Sequence, residues 1–145
     1  MHAPYKAEEI AKFIVSHCWN DGSYRPVSHL AVQKILYFIQ RDHLQQCGTP
    51  LIKDDFEAWQ FGPVVPAVYR QFAIFAARPI RRTYEVMLAQ EDKDFILERI
   101  TKYRDKRPWE LVDETHRTGS AWDRTWKDGA GSHHVISQEL IRIHG

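Results

Sequence analysis

"HLAVQKILYFIQRDHLQQ", residues 29–46, is the stretch whose reading decides the fold. At 100° per residue, Val32, Ile35, Leu36 and Ile39 form one apolar face of a helix. Leu30, Gln33, Lys34, Tyr37 and Arg41 form the opposite face, with Ala31 and Phe38 between them. A helix that is apolar around most of its circumference is normally surrounded by protein, so this one is predicted to be central. Ser28 is placed to cap its start, and Cys47-Gly48 follows its end. A central position draws Gln33 and Lys34 toward the interior, where an ammonium needs an acceptor or an anion beside it. The alternative is that Lys34 snorkels to water on its long stem.

Working outward, "AEEIAKFIVSHC" spaces Ile10, Phe13, Ile14 and His17 as a helix over about residues 7 to 18, closed by the turn residues of "NDGSYRP". "GTPLIKDDFEAWQFG" breaks the helical period. Leu51-Ile52 and the segment from Phe56 to Trp59 are predicted as two short extended pieces of a small hairpin packed on the helices. In "GPVVPAVYRQFAIFAA", Pro63 restricts Gly62, and Pro66 keeps Val65 extended while suiting the first position of a helix. "GPVV" is therefore read as a stiff connector into a helix whose stripe is Tyr69, Phe72, Ala73 and Ala76. Asp92 or Asp94 caps a further helix that turns Phe95, Ile96, Ile100 and Tyr103 inward, and Pro108 starts "WELVDETHR". Gly119, Trp122, Trp126 and "KDGAGSHH" read as a long loop. Ser137 caps a last helix stapled by Ile136 and Ile141. The fold class is mainly α (α+β): about six helices bundled around a central one, with a small β-hairpin, as a single domain over residues 1–145.

The 145 residues are enough for one real core, and 43% hydrophobic with 27% charged content is ordinary. A net charge of +1 gives no global pull toward nucleic acid or an anionic membrane. The basic stretches at residues 78–82 and 99–107 read as solvated helix faces. The longest apolar run, from Phe72 to Ala77, is far short of the ~20 residues of a membrane span. Acids near the N-terminus argue against a signal peptide, and Cys18 and Cys47 form neither a metal spacing nor a disulfide framework, so a cytoplasmic location is expected. His133 and His134 are adjacent, a poor chelate, and read as exposed loop residues rather than metal ligands. Cys18, Cys47, Glu57, Thr115 and His116 could supply catalytic groups, but no local motif joins them. No cofactor is expected. Five aromatics, Trp59, Phe61, Trp109, Trp122 and Trp126, suit interface anchors, and three of them are expected in the core.

"SHLAVQKILYFIQ", "GTPLIKDDFEAWQFGPVVPAVYRQF", "LVDETHRTGSAW" and "ISQELI" together resemble the Panacea domain, the bacterial SocA-like antitoxin family also found in phage-associated proteins. The resemblance runs from Ser28 to Ile141. It is carried in order by Gln33, Lys34, Tyr37, Glu57, Trp59, Gly62, Pro63, Val64, Tyr69, Thr115, His116 and Trp122. It implies the antitoxin of a type II toxin–antitoxin system, which neutralises a co-expressed toxin by direct binding. Toxic alarmone synthetases are prominent among the toxins so paired, and one SocA-type member is an adaptor that delivers its toxin to a protease. No catalysis and no DNA binding are implied for this core domain. Gln33, Lys34, Glu57, Thr115 and His116 are expected to form a buried polar network, with Lys34 and Glu57 in salt-bridge reach and His116 nearby. Phe61, Val64 and Val65 are expected to supply part of the toxin surface, with Phe61 or the Val64-Val65 edge open above a packed Trp59. The alternatives are a small enzyme using His116 with Glu57, or a phage or host regulator that binds some other protein.

Overall fold

The computed structural model describes residues 3–145. Helix α1 (Ala7–Asn20) leads into α2 (His29–Cys47), a hairpin of β1 (Phe56–Trp59) and β2 (Gly62–Val64), and α3 (Pro66–Phe72) with a 3₁₀ turn (Ala73–Phe75). An extended strap follows. Then come α4 (Gln90–Arg104), α5 (Pro108–Thr115), α6 (Ala121–Trp126), a second 3₁₀ turn (Lys127–Gly129), β3 (Val135–Ile136) and α7 (Gln138–His144). Seven α-helices and a three-stranded sheet are thus present among the described residues, a mainly α arrangement of α+β type.

Helix α2 is central. It packs against α1, α3, α4, α5, α7 and β2, and every residue from Ala31 to Gln40 is buried. Ser28 caps it by accepting the Ala31 N–H, and Gly48, with φ of 74°, closes it by donating to Leu44 O. Because neighbours surround α2, its polar side chains must find partners inside the protein, and this governs the site. On one flank Asp42 meets Arg41, Arg99 and Tyr103: the Tyr103 hydroxyl donates to Asp42 at 2.8 Å and accepts from Arg41 at 2.8 Å, pinning α4 to α2. Arg99, read from sequence as part of a solvated face, is therefore buried, and Arg104 is drawn onto Asp21 and the Cys18 and Arg25 carbonyls.

Four local expectations are corrected. "GPVV" is not a connector. Gly62, Pro63 and Val64 form β2, paired antiparallel with Trp59, Ala58 and Glu57, and the two-residue turn Gln60-Phe61 joins the strands. Leu51-Ile52 lies outside that hairpin, and Ile52 bridges Tyr5 instead. Helix α4 begins at Gln90 after Ala89, one turn before the expected Asp94 cap, and Asp92 inside its first turn accepts the Tyr5 hydroxyl at 2.6 Å. The loop expected around Trp122 and Trp126 contains α6, capped by Ser120, whose hydroxyl accepts the Asp123 N–H. Two residues of β3, Val135 and Ile136, complete the sheet on the far side of β1, giving the order β2-β1-β3.

Candidate functional site

The family-like residues converge where α2 passes beneath β2. Gln33 uses its whole amide on one residue of the chain beyond β2: Oε1 accepts the Val65 N–H at 3.1 Å, and Nε2 donates to Val65 O at 3.4 Å and faces His29 Nε2 at 3.2 Å. Lys34 is fully buried and donates from Nζ to Pro63 O at 2.9 Å. Two successive α2 side chains therefore hold the end of the strand and the entry to α3. Gly62 lies directly over them, with φ of 113°. A Cβ there would stand 2.8 Å from Thr115 Oγ1 and 2.9 Å from Lys34 Cε, so the close approach of strand, α2 and α5 requires glycine.

The expected Lys34–Glu57 ion pair does not form. Glu57 accepts the Trp59 indole N–H at 3.0 Å, while Lys34 points at a backbone carbonyl, on the side of β2 that faces α2 and α5. Alternation along a strand places neighbouring residues on opposite faces, and Glu57 and Trp59 share one that Ala58 does not. With no carboxylate beside it, burial pushes the Lys34 ammonium down from its ordinary range to about 7. Burial and the nearby Lys34 charge also lower the pKa values of His29 and His116.

His116 belongs to a different contact. Its ring lies flat on Trp122, centroids 3.8 Å apart and planes 11° from parallel, and Trp126 continues the stack at 5.3 Å. Its Nε2 is buried with no hydrogen-bond partner. Thr115 donates its hydroxyl to Val112 O at 2.7 Å, and Ser120 donates to Thr115 O at 2.6 Å. No nucleophile is thus hydrogen-bonded to His116, and no ion pair joins His116 to Glu57 among the described residues. The network expected from sequence is split. Gln33, Lys34, Thr115 and Gly62 meet beneath β2, whereas Glu57 and His116 attach to separate tryptophans. Tyr37 is buried as packing, edge-on to Phe38 and Phe56. Among the described residues no group of three or more His, Cys, Asp or Glu side chains is placed to hold a metal ion. No helix among them is long and apolar enough to cross a membrane.

On the outer side of the hairpin, aromatic side chains form a rim. Trp59 is half-buried, tilted against Tyr69 at 5.0 Å and His133 at 4.5 Å, and the Trp122 indole N–H donates to Trp59 O at 2.7 Å. Phe61, at the tip of the turn, is 49% exposed and meets Trp109, 57% exposed, edge to face at 5.5 Å. Tyr69 on α3 is 43% exposed. Trp59, Phe61, Val64 and Tyr69 on one side and His29, Leu30, Ala73 and Ala76 on the other line a cleft of about 320 Å³, which Gln33 and Lys34 also line. The Val64-Val65 edge is not open: Val64 is 6% exposed at the wall of the cleft it lines, and Val65 is 1% exposed in the core, its backbone held by Gln33. Phe61 is exposed as expected.

Sequence reading missed two residues. Gln40 accepts the Leu51 and Ile52 N–H groups on Oε1 at 3.0 and 2.9 Å and donates Nε2 to Ile52 O at 2.9 Å. His29 packs on Tyr69 at 5.2 Å and lines the cleft. A signal for Gln40 was present. Gln33 and Gln40 are seven residues apart, two helical turns, and each serves the backbone of an extended segment lying beside α2.

A family model described as antitoxin SocA-like, Panacea domain, matches residues 32–123, the span from the start of the central helix past Trp122. Antitoxin SocA of Caulobacter vibrioides (strain NA1000 / CB15N) is 54% identical over 48 residues, which cover 33% of this chain and 26% of that protein. The match thus spans about a quarter of that relative's length. No solved structure matches the chain.

Proposed function

The chain belongs to the SocA-like antitoxin family, Panacea domain, and from that premise we propose that it is an antitoxin that neutralises a co-expressed protein toxin by binding it directly. The observation that carries this reading is the aromatic rim. Phe61, Tyr69 and Trp109 are large and half exposed; Phe61 and Tyr69 line the cleft, and Trp109 stands against Phe61. Aromatic side chains of this kind anchor protein interfaces, because each buries much area with few rotatable bonds. Their support is rigid: Gln33 and Lys34 hold the β2 backbone, Trp122 holds Trp59 O, and Pro66 starts α3. Little ordering then remains to be done on binding. Masking a toxin in this way needs no chemistry from His116 or Glu57.

In this reading the system is type II, protein against protein, and acts in the cytoplasm. A toxic alarmone synthetase as partner and hand-over to a protease are carried by family resemblance alone. The test is co-expression with the protein encoded by the adjacent gene. Phe61→Asp combined with Trp109→Asp should leave helical circular dichroism unchanged, abolish growth rescue and weaken a purified complex by at least about a hundredfold, as loss of central aromatic anchors does. Full rescue and unchanged affinity in the folded double variant would place the interface elsewhere.

A further inference from the structure

Residues 66–84 contain four arginines, Arg70, Arg78, Arg81 and Arg82, and no aspartate or glutamate. All four are exposed, and among the described residues none forms an ion pair; Arg117 and Arg124 are likewise unpaired, whereas Arg25, Arg41, Arg99, Arg104, Arg107 and Arg142 each pair with a carboxylate. In a chain of net charge +1 this is a local asymmetry. The segment is also held in place. Ile80 is fully buried and donates its N–H to Val27 O at 2.8 Å, the Tyr84 N–H donates to Ser16 Oγ at 3.0 Å, and Asn20 donates to Thr83 Oγ1 at 3.0 Å. Arg78 donates to Ile74 O and Phe75 O at 3.1 and 3.2 Å, and Arg82 lies over the Phe75 ring at 5.0 Å. These guanidinium groups are oriented by carbonyls and a ring, which leave their charge uncompensated. They border a concavity of about 390 Å³ formed by Ile74, Phe75, Arg78, Pro79, Arg81 and Arg82.

We infer that this arginine-lined concavity is a docking surface for an acidic protein segment that also presents an apolar side chain. The charge selects carboxylates, since a guanidinium offers a planar fork that matches them. Ile74, 78% exposed beside the arginines, selects protein over nucleic acid. An apolar centre with a charged border is the anatomy of a protein interface. A nucleic-acid backbone would instead need a longer basic track with many phosphate contacts, and in sequence the basic stretch ends at Glu85. The surface lies on the same α3–3₁₀ segment as Ala73 and Ala76 of the aromatic cleft, so one partner could span both.

The inference rests on the reading that the chain works by binding protein. Its test contains no toxin, so its failure leaves the Phe61 and Trp109 experiment standing. Three labelled probes are titrated against the full chain by fluorescence anisotropy: a peptide of about twelve residues alternating Glu or Asp with Leu, the same peptide with Gln and Asn in place of the acids, and a single-stranded oligonucleotide of equal charge. The acidic peptide is expected to bind at least about tenfold tighter than either other probe and to weaken with added salt. Arg81→Glu with Arg82→Glu, both exposed, is expected to lower its affinity at least about tenfold, and Ile74→Asp to lower it as well, with melting temperatures unchanged. Equal or tighter binding of the oligonucleotide, equal binding of the uncharged peptide, no binding of the acidic peptide, or insensitivity to these variants would each overturn the inference.

Discussion

Lys34→Met tests the interior of this protein most directly. Lys34 is fully buried, its ammonium meets a carbonyl rather than a carboxylate, and burial pushes its pKa to about 7. In the unfolded chain the same group titrates near its ordinary value of 10.5. Between those two pH values the unfolded state holds a proton that the folded state has released, so unfolding takes up a proton and stability must rise with pH. The contribution is fully present above the unfolded pKa and is lost as pH falls toward the folded one. At 1.36 kcal/mol per pH unit the whole gap amounts to at most about 5 kcal/mol. Methionine fills a similar volume and cannot titrate. It also leaves Pro63 O without its donor, a penalty of about 1–3 kcal/mol that does not vary with pH. Urea denaturation of both proteins from pH 7.5 to 9.5 should therefore show the difference in unfolding free energy widening in favour of wild type by about 2–3 kcal/mol. Burial raises the Cys18 thiol to about 11, which erodes stability at the alkaline end, but it does so in both proteins and cancels in the difference. His29 and His116 are both shifted downward and titrate below the window. Parallel curves for the two proteins would refute the reasoning, because they would mean that Lys34 keeps its proton when folded.

Gly62→Ala should lower the unfolding free energy by about 2–4 kcal/mol, read by urea melts, since the new methyl meets Thr115 Oγ1 and Lys34 Cε at a backbone angle that strains any side chain. Gln40→Leu strands the Leu51 and Ile52 N–H groups and should cost about 2–4 kcal/mol, with faster hydrogen exchange at those two amides as its signature. Val65→Asp buries a carboxylate in a site of 1% exposure and should yield insoluble or unfolded protein, so soluble, cooperatively melting Val65→Asp would contradict the burial described.

Much of the fold was legible because its signals are local. The central helix announced itself by apolar residues on nearly every side, and its Ser28 cap and Gly48 stop are written in adjacent residues. Pro66 marked the start of α3, and Ser137 capped α7 as expected. The α6 cap was equally local, Ser120 followed three residues later by Asp123, but the glycines and tryptophans around it masked the signal. β3 could not be read at all, because two residues carry no period, and Val135 and Ile136 become a strand only when β1 lies beside them.

What sequence alone determined about the site is which residues had to be unusual: Gln33 and Lys34 inside an apolar helix, a glycine before a proline, and aromatics without a helical period. Tertiary structure decided whom they meet. Chain order cannot say that Lys34 faces the Pro63 carbonyl while Glu57 turns toward the Trp59 indole. That depends on which face of a three-residue strand lies on α2, and a one-residue change of register would exchange the two faces. Val65 went into the core while Val64 was covered at the wall of the cleft, and Phe61 stayed outside because a two-residue turn has no interior. Apolar pattern is a property of a segment, whereas the partner of a buried polar group is a property of the packed fold. It is decided only when neighbouring backbone groups compete for the few donors and acceptors that remain after water has been excluded.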